Sequence, residues 1–286
     1  AAASGRPYFV FLNLMPTHFP YLARQPYFND IIRRAGIPPT SCSALAGLRD
    51  WSMSQQSLWK RLEQMKPGDL ACLQALYASN IAYLDAALGR LLGELKASGR
   101  LTDTILVVTS DHGENLGEHG LFTHMRNALF EPSIRVPLIV WAPGRLPPGR
   151  IDNPASHVDV MPTILALAGL VQELPSGAQG LDLRRTSPER MVLSEYWDEK
   201  TRVCSRAGVV AGRKIVVRSD GSLALYDLDA DPDETTNLAT RVPPNIASVP
   251  APSPRRPSPG ASSLRSGPEQ PSVCISQLGN NGRWQE

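Results

Sequence analysis

The segment from about Asp69 to Thr109 constrains the fold more than any other part of the sequence. Leucine and isoleucine recur at helical spacing from Leu76 to Leu95, and Gly99 follows as a stop signal. After a short connection comes TILVVT, residues 104–109, an uninterrupted apolar run of strand length. A helix followed by a strand that is buried on both faces is typical of a parallel α/β sheet.

The rest of the sequence continues this pattern and then changes character near its end. The predicted elements are strands over residues 8–14, 136–141 and 191–196, a helix over 158–170, loops with short helices over 28–68, and strands over 207–227 with a hairpin turn at Ser219-Asp220-Gly221. Nine of the 26 prolines fall between Pro243 and Pro271, in a stretch with almost no apolar periodicity. We therefore expect an α/β domain over residues 1–185, a small β subdomain over 186–242 and a disordered tail over 243–286.

Composition argues against several classes of function. The 29 lysines and arginines nearly balance the 27 aspartates and glutamates, so no basic face for nucleic acid is indicated. No apolar run approaches the roughly 18 residues that cross a membrane, and the first residues lack the basic start and long apolar stretch of a signal peptide. The cysteines are scattered (Cys42, Cys72, Cys204 and Cys274), which favours buried free thiols over a disulfide framework or a zinc site.

The segment from Ser110 to Pro137 is the main candidate for chemistry. It contains Asp111, Glu114 and three of the five histidines, namely His112, His119 and His124. Asp111 and His112 directly follow the predicted strand, at the sheet edge where α/β proteins bind ligands. An adjacent carboxylate and imidazole can reach one cation, although a hard divalent ion needs more oxygen ligands than this segment offers. The alternative is a polar surface loop whose side chains bond to water and backbone.

His18 is a second candidate, because it lies just beyond the carboxyl end of the predicted strand over residues 8–14. Pro16 and Pro20 stiffen the turn that carries it. A histidine with a pKa near 6.5 could donate a proton to a departing oxygen. An ordinary loop histidine is the alternative.

These motifs, together with several others, resemble the sulfatases of the alkaline-phosphatase superfamily. The blocks SDHGENLGEHGLFTH and FEPSIRVPLIVWAPG are similar to the family's Ser-Asp-His/Asn-Gly-Glu, Gly-x-His-Gly and Arg-Val-Pro motifs. Further blocks agree in the family's order: FVFLNLMPTHFPY, YLDAALGRLLGELKASGRLTDTILVVTSDHG, HVDVMPTILALAGL and LALYDLDADPDETTNLA. The resemblance covers roughly residues 7–239. It implies a three-layer α/β sandwich with a mostly parallel central sheet, plus a small carboxyl-terminal antiparallel sheet.

Carried over position by position, the resemblance implies roles for individual residues. Asp111 and His112 would ligate a divalent cation, usually calcium in this family. His18 would protonate the leaving alcohol, and His124 would bind the sulfate oxygens of a small-molecule or saccharide sulfate ester. Supporting positions are Glu114, His119, Arg135, His157 and Asp159.

Two parts of the family pattern have no match in these 286 residues. One is the Cys/Ser-x-Pro-Ser-Arg motif that yields the formylglycine nucleophile, and the other is an Asp-Asp pair that supplies further cation ligands. The order of the blocks places both before Ala1. We therefore expect this chain by itself to be inactive and poorly soluble, with exposed apolar faces on the strands at residues 8–14 and 104–109.

Two alternatives stay open at this point. A phosphoester hydrolase or phosphoethanolamine transferase of the same superfamily also uses an Asp-His-Gly-Glu strand end and a downstream histidine, with zinc and a Thr or Ser nucleophile. The IRVP strand and the LYDLDADPDETTNLA segment favour the sulfatase. A non-catalytic fragment or pseudo-enzyme agrees with the missing nucleophile. The sequence indicates neither the particular ester nor the oligomeric state.

Overall fold

The structure is a computed structural model that describes residues 7–42, 45, 60, 62, 64–124, 129–198 and 203–241. It divides into two compact units, Ala1–Thr102 and Asp103–Glu286. The helices are α1 Tyr27–Arg34, α2 Pro67–Ala97, α3 Glu131–Ile134 and α4 Val160–Ala168. The strands are β1 Leu106–Thr109, β2 Asn115–Leu116, β3 Phe122–Thr123, β4 Leu138–Trp141, β5 Val192–Asp198, β6 Val203–Val210, β7 Arg213–Arg218 and β8 Leu223–Asp227. The predicted tail over 243–286 lies outside the described residues.

Helix α2 of the first unit agrees with the predicted periodicity. Lys66 directly precedes the helix, and its backbone N–H donates a hydrogen bond at 3.0 Å to the carboxylate of Asp69 in the first turn. The helix ends at Ala97, and Gly99 has a φ of +71°, so the predicted stop is confirmed. The helix packs against α1, and its buried residues all lie in its first half. None of the helices in the described part of the chain is long and apolar enough to cross a bilayer.

A disulfide joins Cys42 to Cys72, with the two Cα atoms 5.4 Å apart. Cys204 is also disulfide-bonded. The prediction of free thiols is therefore wrong for these three cysteines. Cys42 and Cys72 are 30 positions apart, and the start of α2 brings the fully buried Cys72 to its partner. Such tertiary proximity is not encoded in the spacing of cysteines along the chain.

Residues 7–15 form no strand and pair with no strand among the described residues. Their apolar side chains are exposed, with Phe9 at 80% and Phe11 at 79%. The predicted buried strand over residues 8–14 is therefore wrong, because an apolar run is buried only where other elements cover it. The expected exposure of apolar side chains in this segment is confirmed.

In the second unit, strands β1 and β4 lie within the apolar runs that predicted them. They pair in antiparallel orientation, with Leu106 opposite Trp141 and Thr109 opposite Leu138. All ladders between strands in the described ranges are antiparallel, so the predicted parallel sheet is not seen there. An apolar run identifies a strand but not its direction, which depends on the connection. Strand β1 itself is half-buried, and only Thr109 in it is exposed.

The predicted carboxyl-terminal antiparallel sheet is confirmed. Its four strands follow the order β5-β6-β7-β8, and the predicted turn between the last two closes with a 3.0 Å hydrogen bond from Gly221 N to Arg218 O. The sheet covers a small core, against which Ile134 of α3 also packs. Its buried members are Leu129, Ala207, Val216, Ala224 and Tyr226. This sheet is therefore packed directly against the short helix that follows the histidine-rich segment.

Candidate functional site

The backbone after β1 turns tightly against helix α3. Gly113 N donates to Ser133 O at 2.7 Å, and Glu114 N donates to Pro132 O at 2.8 Å. A Cβ atom at Gly113 would lie 2.0 Å from Pro132 O, so only glycine allows this approach. The loop that carries Asp111 and Glu114 is therefore positioned by the helix.

Asp111 and His112 present two potential ligand atoms side by side. His112 Nδ1 donates to the carbonyl oxygen of Gly113 at 2.8 Å, which leaves the lone pair of the neutral ring on Nε2. That Nε2 lies 3.7 Å from Oδ2 of Asp111, whose side chain is 85% exposed. A carboxylate oxygen and an imidazole nitrogen at this separation can share one cation.

Glu114 and His124 form a second, less exposed pair beside the first. His124 Nδ1 lies 3.3 Å from Oε1 of Glu114, whose side chain is only 5% exposed. The rings of His124 and His112 stack with centroids 4.2 Å apart. The hydrogen bond with Glu114 raises the pKa of His124 above its ordinary value; burial opposes this, and the charges of Glu114 and Asp111 add to it.

Two residues of this cluster, Asp111 and His112, were predicted to ligate a divalent cation. Within the described ranges, no group of three or more His, Cys, Asp or Glu side chains is arranged to hold a metal ion. Asp111 and His112 nevertheless have the donor types and the spacing of two ligands. Since Ca²⁺ takes six to eight oxygen ligands, the Asp111 carboxylate would supply a minority of its shell, and His112 would add only a nitrogen. Their role as cation ligands stays a prediction.

The other predicted supporting residues on this segment have different surroundings. The His119 ring stacks on Phe130, with centroids 3.7 Å apart and planes 8° from parallel. His119 also has a φ of +54°, in the left-handed region that residues other than glycine seldom adopt. Arg135 is exposed at the end of α3. The hydrogen bonds and ring contacts described above join neither residue to the pair of potential cation ligands.

His157 and Asp159, both predicted as supporting residues, lie just before α4. His157 Nε2 donates to the carbonyl oxygen of Ser110 at 2.7 Å, next to Asp111. The fully buried Asp159 accepts two hydrogen bonds from Arg190, at 2.7 and 2.8 Å. Burial alone would raise the pKa of Asp159, but the hydrogen bonds from Arg190 and from two backbone N–H groups outweigh it and hold the pKa below its usual value.

His18 lies in the first unit, in a turn that follows the exposed segment. Its backbone N–H donates to Met15 O at 3.0 Å, and its side chain is half-buried. The ring Nδ1 donates to the carbonyl oxygen of Phe19. Nδ1 of His18 is therefore engaged by the backbone of the next residue.

Three charged residues that contact one another were not predicted from the sequence. Lys214 of β7 is fully buried between Glu131 of α3 and Glu234. A lysine at the start of the apolar run KIVV is a signal that a buried partner exists. The carboxylates that it contacts lie 83 and 20 positions away in the sequence, and no local pattern identifies them.

Comparison with known proteins identifies relatives over most of the described chain. Residues 1–170 match the sulfatase family, and residues 117–246 match the carboxyl-terminal domain of N-sulphoglucosamine sulphohydrolase. The chain is similar to a choline-sulfatase of Rhizobium meliloti (41% identical; 57% of this chain, 32% of the relative). It is also similar to the arylsulfatase K of Bos taurus (33% identical; 60% of this chain, 34% of the relative). The chain thus spans about a third of the length of these relatives.

Solved structures show the same fold at lower identity. One is a protein in complex with its substrate D-glucosamine-2-N,6-O-disulfate (TM-score 0.52, 22% identical; 80% of this chain, 55% of the other). Another is a phosphonate monoester hydrolase from Silicibacter pomeroyi (TM-score 0.55, 22% identical; 81% of this chain, 48% of the other). Because the sulfatase family match covers more than half of the sequence, this chain belongs to the sulfatase family.

Proposed function

We propose that this chain carries part of the active site of a divalent-cation-dependent hydrolase of organic sulfate esters. The observation that carries the proposal is the cluster of Asp111, His112, Glu114 and His124 at the end of β1, in a chain of the sulfatase family. The cluster combines a pair of proposed cation ligands with an imidazole that can donate a hydrogen bond. Both can stabilise the negative charge on the oxygens of a sulfate ester.

Asp111 and His112 are the proposed cation ligands, with Ca²⁺ as the proposed ion. The hydrogen bond from His112 Nδ1 to Gly113 O fixes the ring so that Nε2 faces the Asp111 carboxylate. A bound divalent cation supplies stabilisation of the negative charge on the sulfate oxygens. The Asp111 side chain is exposed, so a cation can reach its carboxylate directly from solvent.

His124 is the proposed contact for the sulfate oxygens. Its raised pKa keeps the imidazole protonated over a wider pH range, so that it can donate to an anionic oxygen. Glu114 holds the ring through Nδ1 and balances its charge. His18 is the proposed acid for the leaving alcohol, with the transferred proton on Nε2. The proposal assigns no nucleophile to these residues.

The proposed substrate is a small-molecule or saccharide sulfate ester. A protein of the same fold was solved with a sulfated glucosamine, and a relative is named for choline sulfate. A phosphoester or phosphonate hydrolase is the second candidate, because a phosphonate monoester hydrolase has the same fold.

Turnover of nitrophenyl sulfate and nitrophenyl phosphate by the full-length protein tests the proposal. We expect faster hydrolysis of the sulfate, loss of activity with a chelator, and a decrease in kcat/KM of at least about a hundredfold in Asp111→Asn. Asp152→Asn is the matched control, because Asp152 is an exposed carboxylate paired only with its neighbour Arg150 among the ion pairs of the described residues. Preferential turnover of the phosphate would establish the second candidate instead.

A further inference from the structure

Lys214 is a buried cation held by two carboxylates from different parts of the chain. Its Nζ lies 3.2 Å from Oε1 of Glu131 and 2.7 Å from Oε1 of Glu234, and its side chain is 0% exposed. A buried ammonium without partners is strongly unfavourable, so both carboxylates are needed where they lie. The ion pairs thus join β7, the segment after β8 and helix α3.

Glu234 also contacts the start of α3 directly, through a backbone N–H group. Its Oε2 accepts a hydrogen bond from the N–H of Glu131 at 2.6 Å. Glu234 has a φ of +53°, in the left-handed region, and the Asp231 carboxylate accepts from the N–H groups of Thr235 and Thr236 around it. A residue kept in this conformation by its neighbours has little freedom to follow α3 if the helix moves.

Helix α3 in turn holds the loop that carries the proposed cation ligands. The carbonyl oxygens of Pro132 and Ser133 accept from Glu114 N and Gly113 N, at 2.8 and 2.7 Å. The Ser133 hydroxyl also accepts from the side-chain amide of Asn115 at 2.7 Å. Because the contact at Gly113 leaves no room even for a methyl group and two backbone hydrogen bonds accompany it, we expect a displacement of α3 to disturb the loop.

We propose that Lys214 is a positioning residue: it fixes α3 to the carboxyl-terminal sheet, and α3 fixes the backbone of Gly113 and Glu114, which directly follow Asp111 and His112. The catalytic meaning of this role rests on the proposed function, whereas the mechanical link does not. Within the described ranges, the ion pairs of Lys214 are with Glu131 and Glu234, not with Asp111 or His112. Its effect on Asp111 and His112 passes through Glu131 and the two carbonyl oxygens of α3.

Native-state amide hydrogen exchange of the 286-residue chain, read by NMR, tests the link. In Lys214→Met we expect exchange at Gly113 and Glu114 to accelerate about tenfold more than exchange in β8, a strand of the same sheet that does not pair with β5 or β6. The quantity to compare is the acceleration at Gly113 and Glu114 divided by the acceleration in the reference strand. This ratio is informative because a general loss of stability accelerates both sets of amides equally. Glu131→Gln, which keeps the backbone bond to Glu234, should move the ratio in the same direction by less, and it decides the matter if Lys214→Met does not fold.

Arg206→Met is the matched control. Arg206 is 4% exposed on β6, and its guanidinium pairs at 2.6 Å with Glu195 of the edge strand β5. Its loss should destabilise the same sheet without changing the exchange ratio. An unchanged ratio in the folded Lys214 and Glu131 variants, or an equal change in Arg206→Met, would overturn the positioning role. Exchange is measured without substrate, so the two proposals can fail separately. Absence of sulfate turnover in the full-length protein would reject the proposed function but would not affect the exchange result for Lys214.

Discussion

Residues 8–14 and strand β7 are both rich in apolar side chains, yet they differ completely in burial. In the first segment, Phe9 and Phe11 are 80% and 79% exposed. In β7, Val216 is buried, and so is Lys214, which carries a charge. Strand β7 pairs with β6 and β8, whereas residues 7–15 pair with no described strand. Placement inside a paired sheet, rather than the hydropathy of each residue, decides which side chains are buried.

This difference implies that the contribution of a side chain to stability depends on its burial and on its interaction partners. A buried charged residue can therefore contribute more than an exposed phenylalanine. A buried charge with its partners in place is expensive to disturb, because removal of one group leaves another unpaired. An exposed aromatic side chain has little to lose. The four predictions below test this view, from the largest expected effect to the smallest.

Removal of the buried Asp159 carboxylate should produce the largest effect. In Asp159→Ala the Arg190 guanidinium loses both acceptors, and the N–H groups of Ser156 and Leu181 lose theirs. We expect the free energy of unfolding to fall by about 3 to 5 kcal/mol, measured by chemical denaturation. Asp152→Ala removes an exposed carboxylate and should change little. Equal effects of the two substitutions would break the comparison.

Addition of one methyl group should have opposite signs at two glycines. Gly113→Ala places a Cβ against Pro132 O and should destabilise the protein by about 1 to 3 kcal/mol. Gly93→Ala, inside α2 with open space around it, should stabilise by up to about 1 kcal/mol. Thermal unfolding of both variants measures the effects. A neutral Gly113→Ala would show that the loop and α3 are not in close contact.

Replacement of Glu114 should lower the pKa of His124 toward about 6.5, its ordinary value. A histidine whose folded-state pKa is raised contributes stability that is fully present below its unfolded-state pKa and is lost as the pH rises through the folded-state pKa. Glu114→Gln removes the main cause of the raised pKa, so this part of the pH dependence should flatten. NMR titration of the imidazole checks it. An unchanged midpoint would show that Glu114 is not the cause.

Replacement of the exposed phenylalanines should have the smallest effect on stability. For Phe9→Ser and Phe11→Ser we expect unfolding free energies within about 0.5 kcal/mol of the parent chain, together with weaker self-association. Phe28, which is 8% exposed in α1, is the matched buried residue, and Phe28→Ala should cost about 3 to 5 kcal/mol. A large loss in Phe9→Ser would show that the segment is covered in solution.

Local signals in the sequence predicted a good part of the fold. The end of α2 just before Gly99, the positions of β1 and β4, and the turn at Gly221 each depend on a few neighbouring residues, and all three agree with the structure. The direction of pairing between β1 and β4 depends on the connection between them, and the burial of residues 8–14 depends on what covers them. Neither property is written in the local pattern.

The candidate site divides in the same way. Asp111, His112, Glu114 and His124 lie in one short stretch, so their clustering could be predicted from the sequence. The contact between Lys214 and Glu131 joins residues 83 positions apart. Such contacts depend on the arrangement of whole elements, which is why they were found only in the structure.

The crosslink between Cys42 and Cys72 makes the first unit dependent on more than temperature and pH. A disulfide raises the free energy of the unfolded chain by restricting its conformations, and that advantage lasts only while the sulfurs stay oxidised. A thiol reductant therefore acts on this unit as a denaturant, without direct contact with Asp111 or His124. Two preparations of the same protein can thus differ in stability only because one of them was exposed to a reductant.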